Sequence, residues 1–308
     1  MGQNAKRRRE GKVAARAQRR QPPAERATGT SGPGRDPYRD VKRQLRQEVG
    51  FGCPVTGCGS PYLTWHHFDP PWRVEHHHRA EGMIALCLEH ASQADNGAFT
   101  DDQLRELKRT GGHPESVQGR FEWLRQDVLT RVGGGFFYET PIILRVGSVP
   151  CIWLSRDEHQ NLMLSFRMPT VSGRPRASIV ENFWSIPTNV QEIICPPMGR
   201  LVDVTYRNGD RFRAEFLSIA DLDALQARYP KAAVDAWASG LTFPITVFEA
   251  WETAAGMALE FGPNSFRLGG AVSSESFTSH CAVGVQVGEP DADMGRFFPP
   301  ELDADKRL

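Results

Sequence analysis

No apolar run in the sequence approaches the roughly 18–20 residues that a membrane-crossing helix needs, and the basic N-terminus lacks the apolar stretch of a secretory signal. Membrane insertion and export are therefore disfavoured, and the expected location is the cytoplasm. Cysteine is scarce, six residues in 308. In a reducing compartment Cys53, Cys58 and Cys87, which crowd a histidine-rich stretch, suggest a metal site; Cys151, Cys195 and Cys281, scattered singly, suggest buried thiols and not disulfides. No clean internal repeat is present, although the glycine-punctuated stretch from Gly256 to Gly288 would also suit turns of a β-helix. Net charge is absent too, with 37 basic against 37 acidic residues. That zero hides an asymmetry: residues 1–46 carry fourteen Lys or Arg against four Asp or Glu, a net of +10, which leaves the remainder at 23 minus 33, or −10.

With 40% hydrophobic and 24% charged residues, the chain has the composition of a globular protein of one or two domains. Four segments are expected. Residues 1–36 have almost no large apolar side chains to offset the entropy of folding, and read as a disordered basic tail suited to phosphate backbones, or as a solubilising or address segment. Residues 37–112 hold the cysteine and histidine cluster. Residues 113–290 read as a mainly β domain, and 291–308 as a flexible acidic tail.

Within 37–112, Tyr38 to Val49 suits an amphipathic helix with Val41, Leu45 and Val49 on one face, ended by Gly50 and Gly52. A hairpin is expected around Tyr62–Phe68, then a Pro-rich loop, then an apolar strand turning into a helix over Gly82–Asp95. A further helix starts at Thr100, with Gln103 completing a capping box. After a linker at 111–116 and another helical stretch near Val117–Gln126, short aromatic or β-branched runs alternate with Gly, Pro, Asn and Asp, the signature of strands. Asn208-Gly209 marks a hairpin turn, and residues 219–240 read as a helical insert.

Six of the nine histidines lie between Thr64 and His90. Around them stand two close pairs of soft ligands, Cys53-x4-Cys58 and Cys87-x2-His90. A tetrahedral Cys3His zinc site needs two such pairs brought together, and the bound ion would contribute folding energy to a region with little core. Gly57 and Gly59 permit the turn that points both thiolates inward.

A cysteine pair, then "TWHHFDP", then an apolar strand ending "ALCLEH", resembles an HNH endonuclease, the ββα-metal nuclease module. The resemblance covers roughly Arg43 to Lys108, about a fifth of the chain. It implies an α+β protein: a small zinc-stabilised ββα-metal (HNH) module followed by a mainly β C-terminal domain. It further implies a metal-dependent endonuclease that hydrolyses phosphodiesters in nucleic acid, with double-stranded DNA as the expected partner. Cys53, Cys58, Cys87 and His90 would hold structural Zn2+. His66 would ligate a catalytic divalent ion, Mg2+ or another, and His67 would be the general base. Neutral imidazole, with an ordinary pKa near ~6.5, can serve in either role. Neighbouring strand residues face opposite ways, so both histidines can serve one site only at a strand terminus or bulge. Arg73, His77, Arg79 and Lys108 are the expected nucleic-acid contacts, and Trp65 and Trp72 are expected to pack beneath the site.

Two positions depart from the family pattern. Where the family has a loop-bracing Asn, this chain has Gly82, and one of His76, His77, His78 or Glu81 would take over the brace. Where the family places a metal-binding His or Asn after the last zinc ligand, this chain has Ala91. Three accounts stay open: Asp95, one helical turn on, supplies a carboxylate; His90 serves the catalytic ion and leaves a three-cysteine zinc site; or the catalytic ion is lost, leaving a catalytically impaired, zinc-binding DNA-binding protein. A third class of function is an interaction protein whose β half does the binding.

Overall fold

The structure is a computed structural model that describes residues 34–112, 114–167, 176–253, 259–268, 271–273 and 276–293. The segments read as a disordered basic tail and an acidic tail thus fall almost wholly outside the described residues. From Asp36 onward the described residues form one compact unit, of α+β class with strands dominating.

The cysteine and histidine region contains helix α1 (Arg39–Glu48), strands β1 (Leu63–His67) and β2 (Met83–Cys87), and helices α2 (Leu88–Asp95) and α3 (Asp101–Thr110). β1 and β2 form an isolated antiparallel pair in which His66 lies opposite Ile84 and His67 opposite Met83. Leu45 of α1 and Val49 just past its end face a small core with Leu63, Phe68, Met83, Ile84, Leu86 and Leu104. Each such burial stabilises by about 1.5–3 kcal/mol. Eight large apolar side chains are few for a unit of this length, so a staple is needed. α3 begins with the capping box read from the sequence: the Thr100 hydroxyl accepts from the Gln103 amide at 3.2 Å, and the Gln103 side chain accepts from the Thr100 amide at 2.8 Å.

The rest of the chain builds two larger sheets. Strands β3 (Ser116–Arg120), β6 (Ile142–Val146), β7 (Val149–Arg156), β8 (Leu162–Phe166), β9 (Ser178–Val180), β10 (Phe183–Pro187) and β19 (Val283–Val287) form a seven-stranded sheet, with β19 and β3 at its edges. The other sheet has ten strands: β4 (Val128–Val132), β5 (Gly135–Tyr138), β11 (Glu192–Ile194), β12 (Leu201–Thr205), β13 (Arg211–Ile219), β14 (Ile245–Thr253), β15 (Leu259–Phe261), β16 (Phe266–Leu268), β17 (Ala271–Ser273) and β18 (Phe277–Ser279). The Gly256–Gly288 stretch, open to a β-helix reading, supplies sheet strands instead. Trp184, Ile152 and Phe166 of the first sheet share a core with Phe212, Phe216 and Phe248 of the second. A further cluster, including Leu129, Ile245 and Val247, lies under α4 (Leu222–Arg228). Successive residues Val247 and Phe248 therefore enter different cores, which is why β14 reads as a nearly continuous apolar run.

One expected helix is corrected, and the expected helical insert is found in shorter pieces. Residues 117–120 belong to β3, whose Val117 pairs with Ile186 and Gly119 with Trp184. A Cβ on Gly119 would meet the Trp184 ring at 2.3 Å, so the glycine that weakens a helix here makes room for an indole. In the 219–240 insert only α4 is a regular α-helix, capped by Asp221. Pro230 follows Tyr229 and disfavours further helical turns, and two 3-10 turns complete the segment.

Contacts that join the metal-ligand region to the β body include the following. Arg46 of α1 makes a buried ion pair with Glu192 of β11. Phe51 enters the shared β core. The Tyr62 hydroxyl donates to the Arg120 carbonyl at 2.7 Å and accepts from the Arg120 amide at 3.1 Å.

A buried carboxyl on β14 makes stability depend on pH. Glu252 is almost fully buried. Its Oε1 accepts from Arg176 Nε at 2.5 Å, while its Oε2 is buried without a hydrogen-bond partner among the described residues. Burial pushes its pKa up from 4.5 to about 7, with the Arg176 guanidinium opposing the rise. A carboxyl whose folded pKa lies above its unfolded value favours the folded state most at low pH, and that contribution is lost as pH rises through about 7. Thermal unfolding of wild type and Glu252→Gln should therefore agree near pH 4.5 and diverge up to pH 8, with the glutamine variant the more stable. A constant difference across that range would rule this out.

Candidate metal centre and adjoining histidine site

Cys53 and Cys58 flank a tight turn in which Cys58 N donates to Val55 O at 2.9 Å and Gly59 N to Cys53 O at 3.2 Å. Gly57 and Gly59 take φ of +79° and +61°, values that a side chain resists. Cys87 ends β2 and caps α2, its sulfur accepting the His90 amide at 3.5 Å. This brings His90 Nδ1 to 3.1 Å from Cys87 Sγ and 3.4 Å from Cys53 Sγ. The four ligand atoms all lie within 4.8 Å of one another.

Those separations suit a tetrahedral ion. With Zn–S bonds near ~2.3 Å, two sulfurs on a tetrahedron stand about 3.8 Å apart; Cys58 Sγ and Cys87 Sγ are 3.8 Å apart. The cluster can hold a metal ion, and its soft donors favour zinc. Burial, with Cys87 and Cys58 adding to it, pushes the Cys53 thiol up to about 12. A divalent cation reverses that balance by binding the thiolate directly. Of the remaining cysteines, Cys151 and Cys195 are buried free thiols as expected, whereas Cys281 is exposed.

His66 and His67 are the last two residues of β1 and point to different surroundings. His66 Nδ1 lies 3.1 Å from Asp95 Oδ1 at the end of α2, the placement that the Asp95 account of Ala91 requires. His66 is buried and Asp95 is about half exposed. Two donors near ~2.1 Å from an octahedral ion would be about 3 Å apart, close to this separation. His67 Nε2 donates to the His77 carbonyl at 3.1 Å. Because a carbonyl only accepts, Nε2 carries the proton, and in the neutral ring the lone pair is on Nδ1.

His77 is buried at 4% exposure, and both of its ring nitrogens are engaged: Nε2 donates to Pro70 O at 2.9 Å and Nδ1 accepts from the Arg79 amide at 3.1 Å. Read from the sequence as a nucleic-acid contact, it instead staples the 69–79 loop. Lys108 needs the same correction. Its ammonium donates to Ala80 O and, at 2.8 Å, to Met83 O, and pairs with Glu48, so it clamps the start of β2. Arg79 is half exposed and held by both oxygens of Glu75; Arg73 is exposed. Trp65 is partly buried against the small core. Trp72 is not beneath the site but over it, 4.8 Å from the His67 ring.

Gly82 has no room for a side chain. Its carbonyl accepts from Phe68 N and Asp69 N, and a Cβ on it would lie 1.9 Å from Asp69 O and 2.9 Å from His77 Cε1. The His77 ring occupies the space where a side chain at 82 would go. Gly82→Ala should therefore displace the loop and cost about 1–3 kcal/mol, measured by chemical denaturation. Gly82→Asn, with a larger side chain, should be worse; a neutral result for both would show that the loop yields freely.

Comparisons with protein-family models, curated proteins and solved structures find no match for this chain. Among the described residues, no helix is long and apolar enough to cross a membrane.

Proposed function

We propose that the chain is a metal-dependent endonuclease of the HNH type, cutting phosphodiester bonds in DNA, with zinc at Cys53, Cys58, Cys87 and His90 as a structural clamp. One observation carries the reading: at the end of β1, opposite the start of β2, His66 lies against the Asp95 carboxylate and the next residue, His67, is held by its Nε2. His66 and Asp95 would hold a divalent ion, which when bound supplies Lewis-acid stabilisation of phosphate oxygens. His67 Nδ1, buried in the structure, would have to be uncovered to take the proton of the attacking water; the His77 carbonyl keeps the ring in the tautomer that can accept it. The hydroxide oxygen bonds to phosphorus as the bond to the departing ester oxygen breaks, and that oxygen leaves with a proton from solvent. Arg73, exposed in the loop that follows His67, would position a phosphate. The β body would select or position the substrate.

A second reading, a zinc-stabilised DNA-binding module without cleavage, is favoured by Ala91 and by the ring of Trp72 covering a His67 that is only 4% exposed. Conversion of supercoiled plasmid to nicked or linear forms with Mg2+ or Mn2+, compared with His67→Ala, separates the two. His67-dependent cutting supports the nuclease. Binding without cutting under every metal supports the second reading.

A further inference from the structure

We infer that the rings of His76, Trp72 and His78 form a seat for an unstacked nucleobase, so that the site prefers DNA carrying an unpaired nucleotide over a fully paired duplex. The inference rests on the proposed function and adds its substrate class. Trp72 stacks on His76 at 4.5 Å with planes 14° apart, and on His78 at 5.7 Å with planes 15° apart. The end at His78 is closed: Tyr38 meets it edge-on at 4.8 Å and His67 lies 6.2 Å away. The end at His76 is open, since that residue is exposed and, among the described residues, its one ring contact is Trp72. A set of parallel flat rings with a solvent-facing end matches the face of a base, which has a π surface whatever its sequence.

These rings are held outside the hydrophobic core, in a loop with no regular structure of its own. That loop is nevertheless stiff. The Pro71 carbonyl accepts from Val74 N at 2.8 Å and Glu75 N at 3.2 Å, His77 staples it, and Glu75 binds Arg79 through two oxygens. A platform ordered in advance loses less entropy when a flat ligand settles on it. Between the rings, at the turn, Arg73 and the 70%-exposed Val74 face solvent, offering a cation for phosphate and an apolar edge for a sugar or base. In a paired duplex the bases face each other and stack along the helix, so only a nucleotide freed from pairing can extend the row. Since Trp72 also lies against His67, a base seated there belongs to the strand that passes the candidate base residue.

The test uses the full, zinc-loaded chain without added Mg2+, and three oligonucleotides of one sequence: a duplex, the duplex with a single-nucleotide bulge, and the single strand. 2-Aminopurine replaces the unpaired base. The expected result is quenching of its fluorescence on binding, with bulged and single-stranded DNA bound more tightly than duplex. His76→Ala should weaken those two by roughly 5- to 100-fold while leaving duplex binding unchanged, and His76→Phe, which restores a flat ring, should recover them. Equal losses on all three DNAs, no quenching, or no rescue by Phe would overturn the proposal. If His67-dependent plasmid cutting persists alongside such a result, only the base seat is lost; if no DNA binds at all, the nuclease reading goes with it.

Discussion

Protein prepared with zinc present is expected to carry one zinc per chain, and to lose the fold of the α1–α3 region when that ion is removed. The four ligands join segments that the small core holds only weakly: the turn at Cys53–Cys58, the end of β2 and the first turn of α2. Structural zinc contributes on the order of 10 kcal/mol to the folding of small modules, more than the eight large apolar side chains of that core can be expected to leave after the entropy of ordering the chain. Chelation, or Cys87→Ser, should bring zinc to near zero and open residues 37–112 to proteolysis. The β body has its own cores and should persist, although the Arg46–Glu192 pair would be broken from one side. A metal-free chain with an intact β1–β2 pair by hydrogen exchange would sink the zinc clamp.

The largest effect on activity is expected at His67. His67→Ala should lower plasmid cleavage by about 10²- to 10⁴-fold, the range for losing a positioned general base, with zinc content unchanged because the zinc ligands are elsewhere, and with some loss of thermal stability because the buried ring packs against Trp72, His77 and His78. Asp95→Ala should produce a comparable loss that depends on the divalent ion supplied, since the half-exposed carboxylate stands 3.1 Å from His66 and its removal leaves one protein donor. Rates for Asp95→Ala that match wild type at every Mg2+ concentration would exclude the carboxylate as a ligand. His77→Asn should keep more activity than His77→Ala, because an amide can both donate to Pro70 O and accept from Arg79 N.

The spacing of the two ligand pairs, the capping box at Thr100 and the strand-to-helix turn at Cys87 were legible because each is set within a few residues by backbone geometry. The hairpin at Asn208-Gly209 was legible for the same reason, though its loop is longer than two residues: Gly209 N donates to Tyr206 O at 3.0 Å and Tyr206 N to Asp210 O at 2.8 Å. Val117–Arg120 was misread because its environment is supplied by Trp184, more than sixty residues away. The brace was narrowed to four candidates, and only the close approach of Gly82 to the Asp69 carbonyl selected His77.

What the sequence by itself determined is the class of elements, the α+β balance and the donor set of the metal centre, all encoded in short-range patterns of side-chain type. The tertiary structure alone decided that Asp95 faces His66, that His77 and Lys108 turn inward, and that Trp72 covers His67. These depend on how segments far apart in the chain are brought together by burial, a collective outcome that no local propensity specifies.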